Sequence, residues 1–485
     1  MVTPTGTAEL DAITARAAAA FPIWRASDAA TRTGWLRALA DALDGAADEL
    51  VPIADRETRL GETRLRGEVG RTTGQLRLFA TVVEEASYLE LTVDDADPSA
   101  TPPRPELRRL LVPVGPVAVF SASNFPFAFS VCGGDTASAL AAGAPVIVKA
   151  HSGHPELSRR TAEIAANALV AAGAPDGSLQ LIEGREAGNA LVQHPVVQAA
   201  GFTGSLSGGR ALFDLANGRP DPIPFYGELG SVNPVVLTPA AVAARGEALA
   251  SGLAGSFTLG VGQFCTKPGV VFVPAGAGFE ASVAAAVAET SGGALLTDRI
   301  TDAFPSGIDA LLTDPSVDEL ARGSAGPDGA RPIVLTTDAA AVAERPETLL
   351  EEVFGPVTLL VRYASDAELH AGLRAVPGSL TATLHSEASD DVADTLALLE
   401  ARAGRVLFTG WPTGVAVTWS QQHGGPWPAT TSLHTSVGAT AIRRFLRPIA
   451  FQDAPERLLP LVLRDAALAG LPHRRNGVLR VPAQD

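Results

Sequence analysis

Apolar residues recur at three- and four-residue spacing through ELDAITARAAAAF and TRTGWLRALADALDGAADELVPIADRE. That period predicts helices across residues 8–90, with Ser27 or Asp28 as the N-cap of the second. The polar, proline-rich stretch DDADPSATPPRPE that follows reads as an extended connection. The period then changes. VGPVAVFSA, APVIVKAH, SLQLIEG and VVQAAGFTG are short, apolar and β-branched, and DTASALAAG, ELSRRTAEIAANALVAAG and GREAGNALVQ stand between them with helical spacing. Strands alternating with helices predict a parallel sheet covered on both faces. A second series, NPVVLTP, GVVFVPAG, RPIVLTT and GPVTLLVRYAS, predicts another α/β domain beginning near residue 229. The tail after residue 431 reads as strand-like and then helical, and no repeat of fixed period occurs.

Composition narrows the class. The chain has 485 residues, 46% of them apolar and 19% charged, which implies two or three domains and argues against disorder. The formal charge of 37 − 53 = −16 would be repelled by nucleic acid and by anionic membrane surfaces, so neither is expected as a partner. Two cysteines, Cys132 and Cys265, exclude a disulfide scaffold and a multi-cysteine metal site, and no metal is expected. No window holds the ~18 apolar residues of a spanning helix. The N-terminal stretch lacks the basic segment and apolar core of a secretory signal. A cytoplasmic, reducing setting is the expectation.

The candidate chemistry sits at the ends of these strands. Cys265 lies in SFTLGVGQFCTKPGVVFV, where Gly260, Gly262 and Pro268 mark an irregular loop entering a strand. It is either a reachable thiol nucleophile or an inert buried side chain. Lys267, two residues on, either lowers the thiol pKa or faces solvent. Cys132, in FSVCGGDT, is expected in the core. Glu228, in FYGELGSVNPVVL, is either a turn residue or a partly desolvated carboxyl, its pKa raised, suited to act as a base on water. Asn124 follows a strand on the sheet's ligand-binding edge, as a turn former or as an amide donor to a developing oxyanion. In GFTGSLSGGR a strand runs through Gly204 and Ser205 into a helix whose N-terminus would favour a pyrophosphate, although this is not the GxGxxG fingerprint. Lys149, after VIV, could bond ribose hydroxyls. Glu352, in TLLEEVFGPVTLLV, is either a helix-end charge or an acceptor for a ribose diol.

Taken in order, VGPVAVFSASNFPF, VIVKAHSGHPE, GFTGS, GELGSVNP, GQFCTKPG and EEVFGPV resemble the signatures of the aldehyde dehydrogenase superfamily over roughly residues 8–450. The resemblance implies an α/β fold of two doubly wound domains and an arm. These would be a Rossmann-like cofactor domain (1–99 and 114–228), a catalytic domain (229–430), and an oligomerisation arm with a C-terminal return (100–113 and 431–485). Arm strands from about residues 100–113 and 436–451 would extend a partner's sheet, giving a homodimer or homotetramer. The resemblance also implies NAD(P)-dependent oxidation of an aldehyde to an acid. Cys265 would form a thiohemiacetal and then a thioester, Asn124 and the Cys265 N–H would hold the oxyanion, and Glu228 would activate water. Lys149 would bind the adenosine ribose, Glu352 the nicotinamide ribose with Phe354 beside it, and Gly204 and Ser205 the pyrophosphate.

Where the common motif has a second glycine and a lysine, this chain reads Gly230-Ser231-Val232-Asn233-Pro234. That departure, with WPTGVAVTWSQQHGGPWPAT, is similar to a branch acting on 2,5-dioxopentanoate and to some bacterial fatty aldehyde dehydrogenases. His423 carries part of this similarity and reads locally as a loop histidine. Ser152 stands three residues beyond Lys149, where NAD-preferring relatives often carry a glutamate, and Arg185 could pair with a 2′-phosphate. NADP is therefore expected as the preferred cofactor, with NAD possible. No cation in the loop motifs suits the distal carboxylate of a semialdehyde. Phe127, Trp411 and Trp419 would instead suit an apolar wall, which keeps a broad-specificity or fatty aldehyde dehydrogenase open. A cysteine-dependent esterase or hydrolase is the alternative from another class.

Overall fold

The computed structural model describes residues 4–326, 329–412 and 414–482. Thr413, inside the WPTG stretch, lies outside the described residues, as do the outermost limits of the expected domains at residues 1 and 485.

The chain opens with four helices, α1 (Thr7–Ala26), α2 (Ala29–Gly45), α3 (Ala47–Thr58) and α4 (Glu62–Glu85). Asp28 is the cap of α2, accepting from the Thr31 amide at 2.8 Å. Two strands follow, β1 (Thr92–Asp94) and β2 (Leu107–Pro113). The cofactor-type sheet then forms from β3 (Val117–Phe120), β4 (Val146–Lys149), β5 (Leu179–Ile182), β6 (Ala199–Thr203) and β7 (Phe225–Glu228), linked by α5 (Gly134–Ala142), α6 (Pro155–Ala171), α7 (Arg185–Gln193) and α8 (Leu206–Asn217). Its order is β5-β4-β3-β6-β7, all parallel. Alternation along each strand sorts the side chains to two cores. Val117, Val119, Val146 and Val148 face the cluster built with α2 to α6, while Ala118, Phe120, Ile147 and Ala200 face the one built with α1, α7 and α8. The chain leaves β3 in one direction through β4 and in the other through β6. Ligand crevices open at such a switch point, beyond the carboxyl ends of the strands.

The second sheet contains β8 (Val235–Leu237), β9 (Val270–Pro274), β10 (Asp318–Arg322), β11 (Ile333–Asp338), β12 (Val357–Tyr363), β13 (Ser379–His385) and β14 (Ala403–Phe408), with α9 (Pro239–Thr258) between the first two. Its order is β10-β11-β12-β9-β8-β13-β14, parallel except for the β10 edge. It too is buried on both faces. The amino ends of β8, β9 and β14 face the carboxyl end of β7, and the site lies between these two edges.

The remaining strands, β15 (Leu446–Gln452), β16 (His473–Arg475) and β17 (Val478–Arg480), join β1 and β2 in a third sheet ordered β15-β2-β1-β16-β17. The tail is thus not helical after its first strand. It is a string of 3-10 turns, one four-residue helix and a hairpin. Residues 439–445 form a 3-10 segment fastened to α5 by the buried Arg444–Asp135 ion pair at 2.6 Å. No helix among the described residues is long and apolar enough to cross a membrane.

Candidate active site

Asn124, Glu228 and Cys265 come from three different elements and meet at the junction of the two large sheets. Glu228 is the last residue of β7 rather than a turn residue. Its carbonyl accepts from the Gly204 amide at 3.0 Å, which ties it to the β6–α8 turn. Cys265 stands five residues before β9, in a loop that needs its glycines. Gly262 has φ +68 and its α-carbon meets the Gly355 carbonyl so closely that a Cβ would collide with backbone. The loop is therefore clamped against the segment carrying Glu352 and Phe354. Asn124 is buried four residues beyond β3, and its Nδ2 donates to the Gln263 carbonyl at 3.0 Å. One amide hydrogen remains for another acceptor.

The largest surprise is His423. The 422–436 segment is pinned beside β7 by a Glu228–Thr430 bridge and by the Leu229 amide donating to Ala429 at 2.8 Å. Thr435 Oγ1 accepts the His423 amide at 2.8 Å, and the Ser436 amide donates to the His423 carbonyl at 2.8 Å. So held, His423 Nε2 stands 3.0 Å from Glu228 Oε1 and 3.6 Å from Cys265 Sγ. The three donor atoms lie within 4.8 Å of one another. The side chains of His423 and Glu228 are 0% and 2% exposed, so this contact is dry. Ser436 Oγ donates to the other Glu228 oxygen at 2.8 Å.

The electrostatics correct one expectation. Burial pushes the Glu228 carboxyl up, but His423 beside it, then the hydrogen bonds from His423 and Ser436, hold it below the ordinary glutamate value. Glu228 is an ionised carboxylate at neutral pH, not one with a raised pKa. The Cys265 thiol goes the other way. Burial first, then the Glu228 charge, push it well above the ordinary cysteine value, with Arg71 opposing. The resting sulfur holds its proton and has an acceptor pair beside it. Cys132 is also pushed up, to about 12, by burial alone, and sits in the helical core as expected.

Lys267 neither faces solvent nor pairs with the thiol. It is buried, and Nζ donates to the carbonyls of Val353 and Val357 at 2.7 and 3.1 Å. It thereby shapes the Glu352 segment. Glu352 Oε2 accepts from the Ser231 amide at 3.3 Å. Burial raises its carboxyl to about 7, with Lys267 opposing. Asn233, whose place in GELGSVNP carries no catalytic signal of its own, brackets both halves. Its Nδ2 donates to the carbonyls of Cys265 and Lys267 at 2.8 and 2.9 Å, while Oδ1 accepts from Ser231 Oγ and the Thr381 amide. Asn tolerates the φ of +47 that this geometry demands. The Ser231-Val232-Asn233 departure from the common motif is thus the scaffold of the cysteine loop.

The expected cofactor residues line the β3–β4–β6 edge. Ser205 caps α8, accepting from the Gly208 amide at 3.3 Å, and Gly204 precedes it at the end of β6. Lys149 ends β4, its stem packed on Gly188, its ammonium lowered by burial and without a hydrogen bond among the described residues. A helix N-terminus beside a half-buried unpaired ammonium fits a dinucleotide with its pyrophosphate and ribose. Ser152 and Arg185 are both exposed, each three residues past the register pair Lys149–Ile182. The proposed apolar wall is not assembled. Phe127 packs in the helical core, Trp411 packs on His385 at 4.8 Å, and Trp419 is exposed. Phe125, Phe129 and Phe264 form the aromatic cluster near Cys265 instead, with Phe125 edge-on to Phe264 at 5.3 Å.

Comparison with known proteins gives the family. The Aldehyde dehydrogenase family profile matches residues 2–302. The chain is 48% identical over 468 residues to alpha-ketoglutaric semialdehyde dehydrogenase 2 of Azospirillum brasilense, covering 94% of this chain and 89% of that protein. It is 42% identical over 480 residues to the alpha-ketoglutaric semialdehyde dehydrogenase of Acinetobacter baylyi, covering 97% and 91%. Among solved structures, it matches an aldehyde dehydrogenase C mutant from Pseudomonas syringae in complex with NAD+ and octanal. That match has a TM-score of 0.77, 22% identity, and covers 92% of this chain and 90% of that one. At that identity the likeness speaks for the fold. The chain belongs to the aldehyde dehydrogenase family and is an NAD(P)-dependent oxidoreductase acting on an aldehyde group.

Proposed function

We propose that this enzyme oxidises 2,5-dioxopentanoate (α-ketoglutarate semialdehyde) to 2-oxoglutarate, with Cys265, Glu228 and Asn124 as its catalytic residues. The carrying observation is the compact triangle in which His423 Nε2 stands 3.0 Å from the Glu228 carboxylate and 3.6 Å from the Cys265 sulfur. The substrate follows the names of the two relatives above.

The raised thiol must lose its proton to react, and the Glu228 carboxylate, kept ionised by the His423 N–H, receives it as Sγ bonds the aldehyde carbon. The carbonyl electrons move to oxygen, where the free Asn124 amide hydrogen and the Cys265 N–H hold the charge. When bound, NAD(P) would supply the hydride acceptor for oxidation at the carbon held on Cys265. Glu228 passes the thiol proton to solvent and then takes one from the water that attacks the thioester carbon; the C–S bond breaks with its electron pair returning to Sγ, and the acid leaves. Gly204 and Ser205 hold the pyrophosphate, Lys149 the adenosine ribose, and Glu352 with Phe354 the nicotinamide ribose. Ser152 and Arg185, each exposed and three residues beyond the paired strand ends Lys149 and Ile182, favour a 2′-phosphate, so NADP is preferred over NAD. A higher kcat/KM with NAD than with NADP overturns that preference. Cys265→Ala abolishes turnover while cofactor binding persists, and surviving turnover overturns the mechanism.

The expected division into a cofactor domain (1–99 and 114–228), a catalytic domain (229–430) and an arm (100–113 and 431–485) follows the three sheets except at β1, which pairs with β2 and β16 and so moves the start of the arm ahead of residue 92. Leu458, Leu461, Val478 and Leu479 are exposed on the third sheet and its connections, which supports a homodimer or dimer of dimers built there. Light scattering that returns a monomer mass overturns that assembly.

A further inference from the structure

Two guanidinium groups near Cys265 have no part in the chemistry above. In Arg71, on α4, both Nε and Nη2 are buried without a hydrogen-bond partner. In Arg405, the third residue of β14, the same two atoms are buried and unpartnered. Nε and Nη2 form one side of the guanidinium fork, the side that takes both oxygens of a carboxylate in parallel. A buried charged donor left unpaired is costly, so a folded chain that keeps four such atoms in one region is poised for a ligand.

The neighbouring charges do not satisfy these forks. Arg64 is satisfied by the Asn124 carbonyl at 2.7 Å. Glu68, three residues before Arg71, uses Oε1 to accept the amides of Phe127 and Ala128 at 2.8 and 3.0 Å. Among the described residues no carboxylate comes within ion-pair distance of Arg71 or Arg405. Both forks border the nucleophile. The Arg71 guanidinium lies 5.4 Å from the Phe125 ring and 5.3 Å from the Phe129 ring. Phe125 leads to Phe264, the residue before Cys265, and Phe129 lies 6.3 Å from the His423 ring. Arg405 is in register with Thr381, which holds the Asn233 bracket, and its neighbour Gly404 abuts the Gly424 carbonyl just past His423. Burial weakens each guanidinium's hold on its charge; Glu68 is the first charge to oppose this at Arg71, and an ionised Cys265 would oppose it at both.

We propose that Arg71 and Arg405 are the receptor for the distal carboxylate of a short acidic aldehyde, such as the 2-oxo acid end of 2,5-dioxopentanoate. This rests on the semialdehyde reading above and names the groups that would enforce it. Neither residue belongs to a loop motif, and they lie more than three hundred positions apart in the chain, so the sequence offered no cation for this task.

The test is a ratio. kcat/KM is measured for 2,5-dioxopentanoate and for pentanal with wild type, Arg71→Met, Arg405→Met and Arg71→Lys. Both aldehydes are assayed on the same preparation, so partial unfolding lowers both alike and leaves the ratio intact. The acidic-over-neutral ratio is expected to fall about 100-fold in each Met variant, mostly through KM, and less in Arg71→Lys, which keeps the charge but loses the fork. A wild-type ratio at or below one sinks the semialdehyde reading itself. A high wild-type ratio that survives both Met substitutions sinks the receptor alone. Calorimetric titration of glutarate into Cys265→Ala gives a second readout. Binding that is lost when Arg71→Met is added supports the receptor, and undiminished binding overturns it.

Discussion

Glu228 and Glu352 invite comparison. Each is a glutamate from a short glycine-containing motif, each is desolvated at the junction of the two sheets, and each has a cationic or titratable partner. Yet Glu228 is held below the ordinary carboxyl value while Glu352 is raised to about 7. Burial acts on both in the same direction. The difference lies in the bonds. Glu228 is engaged through both oxygens, by His423 at 3.0 Å and Ser436 at 2.8 Å. Glu352 has a single amide at 3.3 Å, and its cation, Lys267, has spent its protons on backbone carbonyls. Burial sets how far a carboxyl can move, and the donors aimed at it decide which way it goes.

Removing the carboxylate at each position should separate the two most sharply. Glu228→Gln is expected to lower steady-state kcat about 100- to 10,000-fold. A rapid burst of reduced cofactor should survive, because the loss falls on thioester hydrolysis. Stopped-flow absorbance reads both phases, and a burst lost along with turnover would break the assignment of Glu228 to the water step. Glu352→Gln is expected to change cofactor KM far more than kcat, with no burst to unmask.

Next in size is His423→Asn. Without the imidazole, burial is left to act on Glu228 and its pKa rises toward that of Glu352. The folded pKa now lies below the ordinary glutamate value, so the acid limb of kcat should move to higher pH in the variant. At pH 7 activity falls about 10- to 100-fold, less than on losing the carboxylate itself. A pH profile that drops uniformly without moving its acid limb would mean that His423 only packs.

How these two glutamates came to be read differently from sequence is instructive. Glu228, Cys265 and Asn124 were legible because each lies in a contiguous motif at the end of a strand, and strand ends follow from hydrophobic alternation. The two α/β layers were legible for the same reason. His423 was not, because its partner is 195 residues away and tertiary contacts of the 429–431 segment with the end of β7 bring them together. Arg71 looked like one charge among many on a long helix. Lys267 was misjudged because proximity in sequence to Cys265 suggested contact. The turn closed by the Lys267 amide donating to the Phe264 carbonyl at 3.1 Å instead leaves its side chain bonded to the carbonyls of Val353 and Val357. Phe127 was misjudged likewise, being drawn into the helical core while Phe125 and Phe129 face the site.

Asn233 joins the two regions under comparison, since one amide holds both the Cys265 carbonyl and the Lys267 carbonyl. Asn233→Ala leaves two carbonyls without their donor and Ser231 Oγ without its acceptor. The expected cost is about 1–3 kcal/mol of stability, read as a lowered urea midpoint. Both glutamate behaviours should degrade together in this variant, with kcat falling and cofactor KM rising. A variant that loses only one of the two would show that the bracket serves one half of the site.

The smallest effect should appear in the wild-type enzyme without any substitution. A carboxylate accepts ribose hydroxyls better than a carboxyl, which must spend one oxygen on its own proton. Glu352 is raised to about 7, so its charged fraction grows as pH rises from 6 to 8, a range in which Glu228 stays ionised throughout. Cofactor affinity should therefore strengthen with pH across that window, by at most about tenfold if only the carboxylate binds. The pyrophosphate keeps its charge over this range, whereas the 2′-phosphate of NADP titrates near it, so the measurement uses NAD. Fluorescence titration of the reduced nicotinamide in wild type and Glu352→Gln isolates the contribution, since the amide cannot ionise and its profile should be flat. Equal slopes in the two proteins would assign the pH dependence to another group and would leave the contrast between the two glutamates a matter of structure alone.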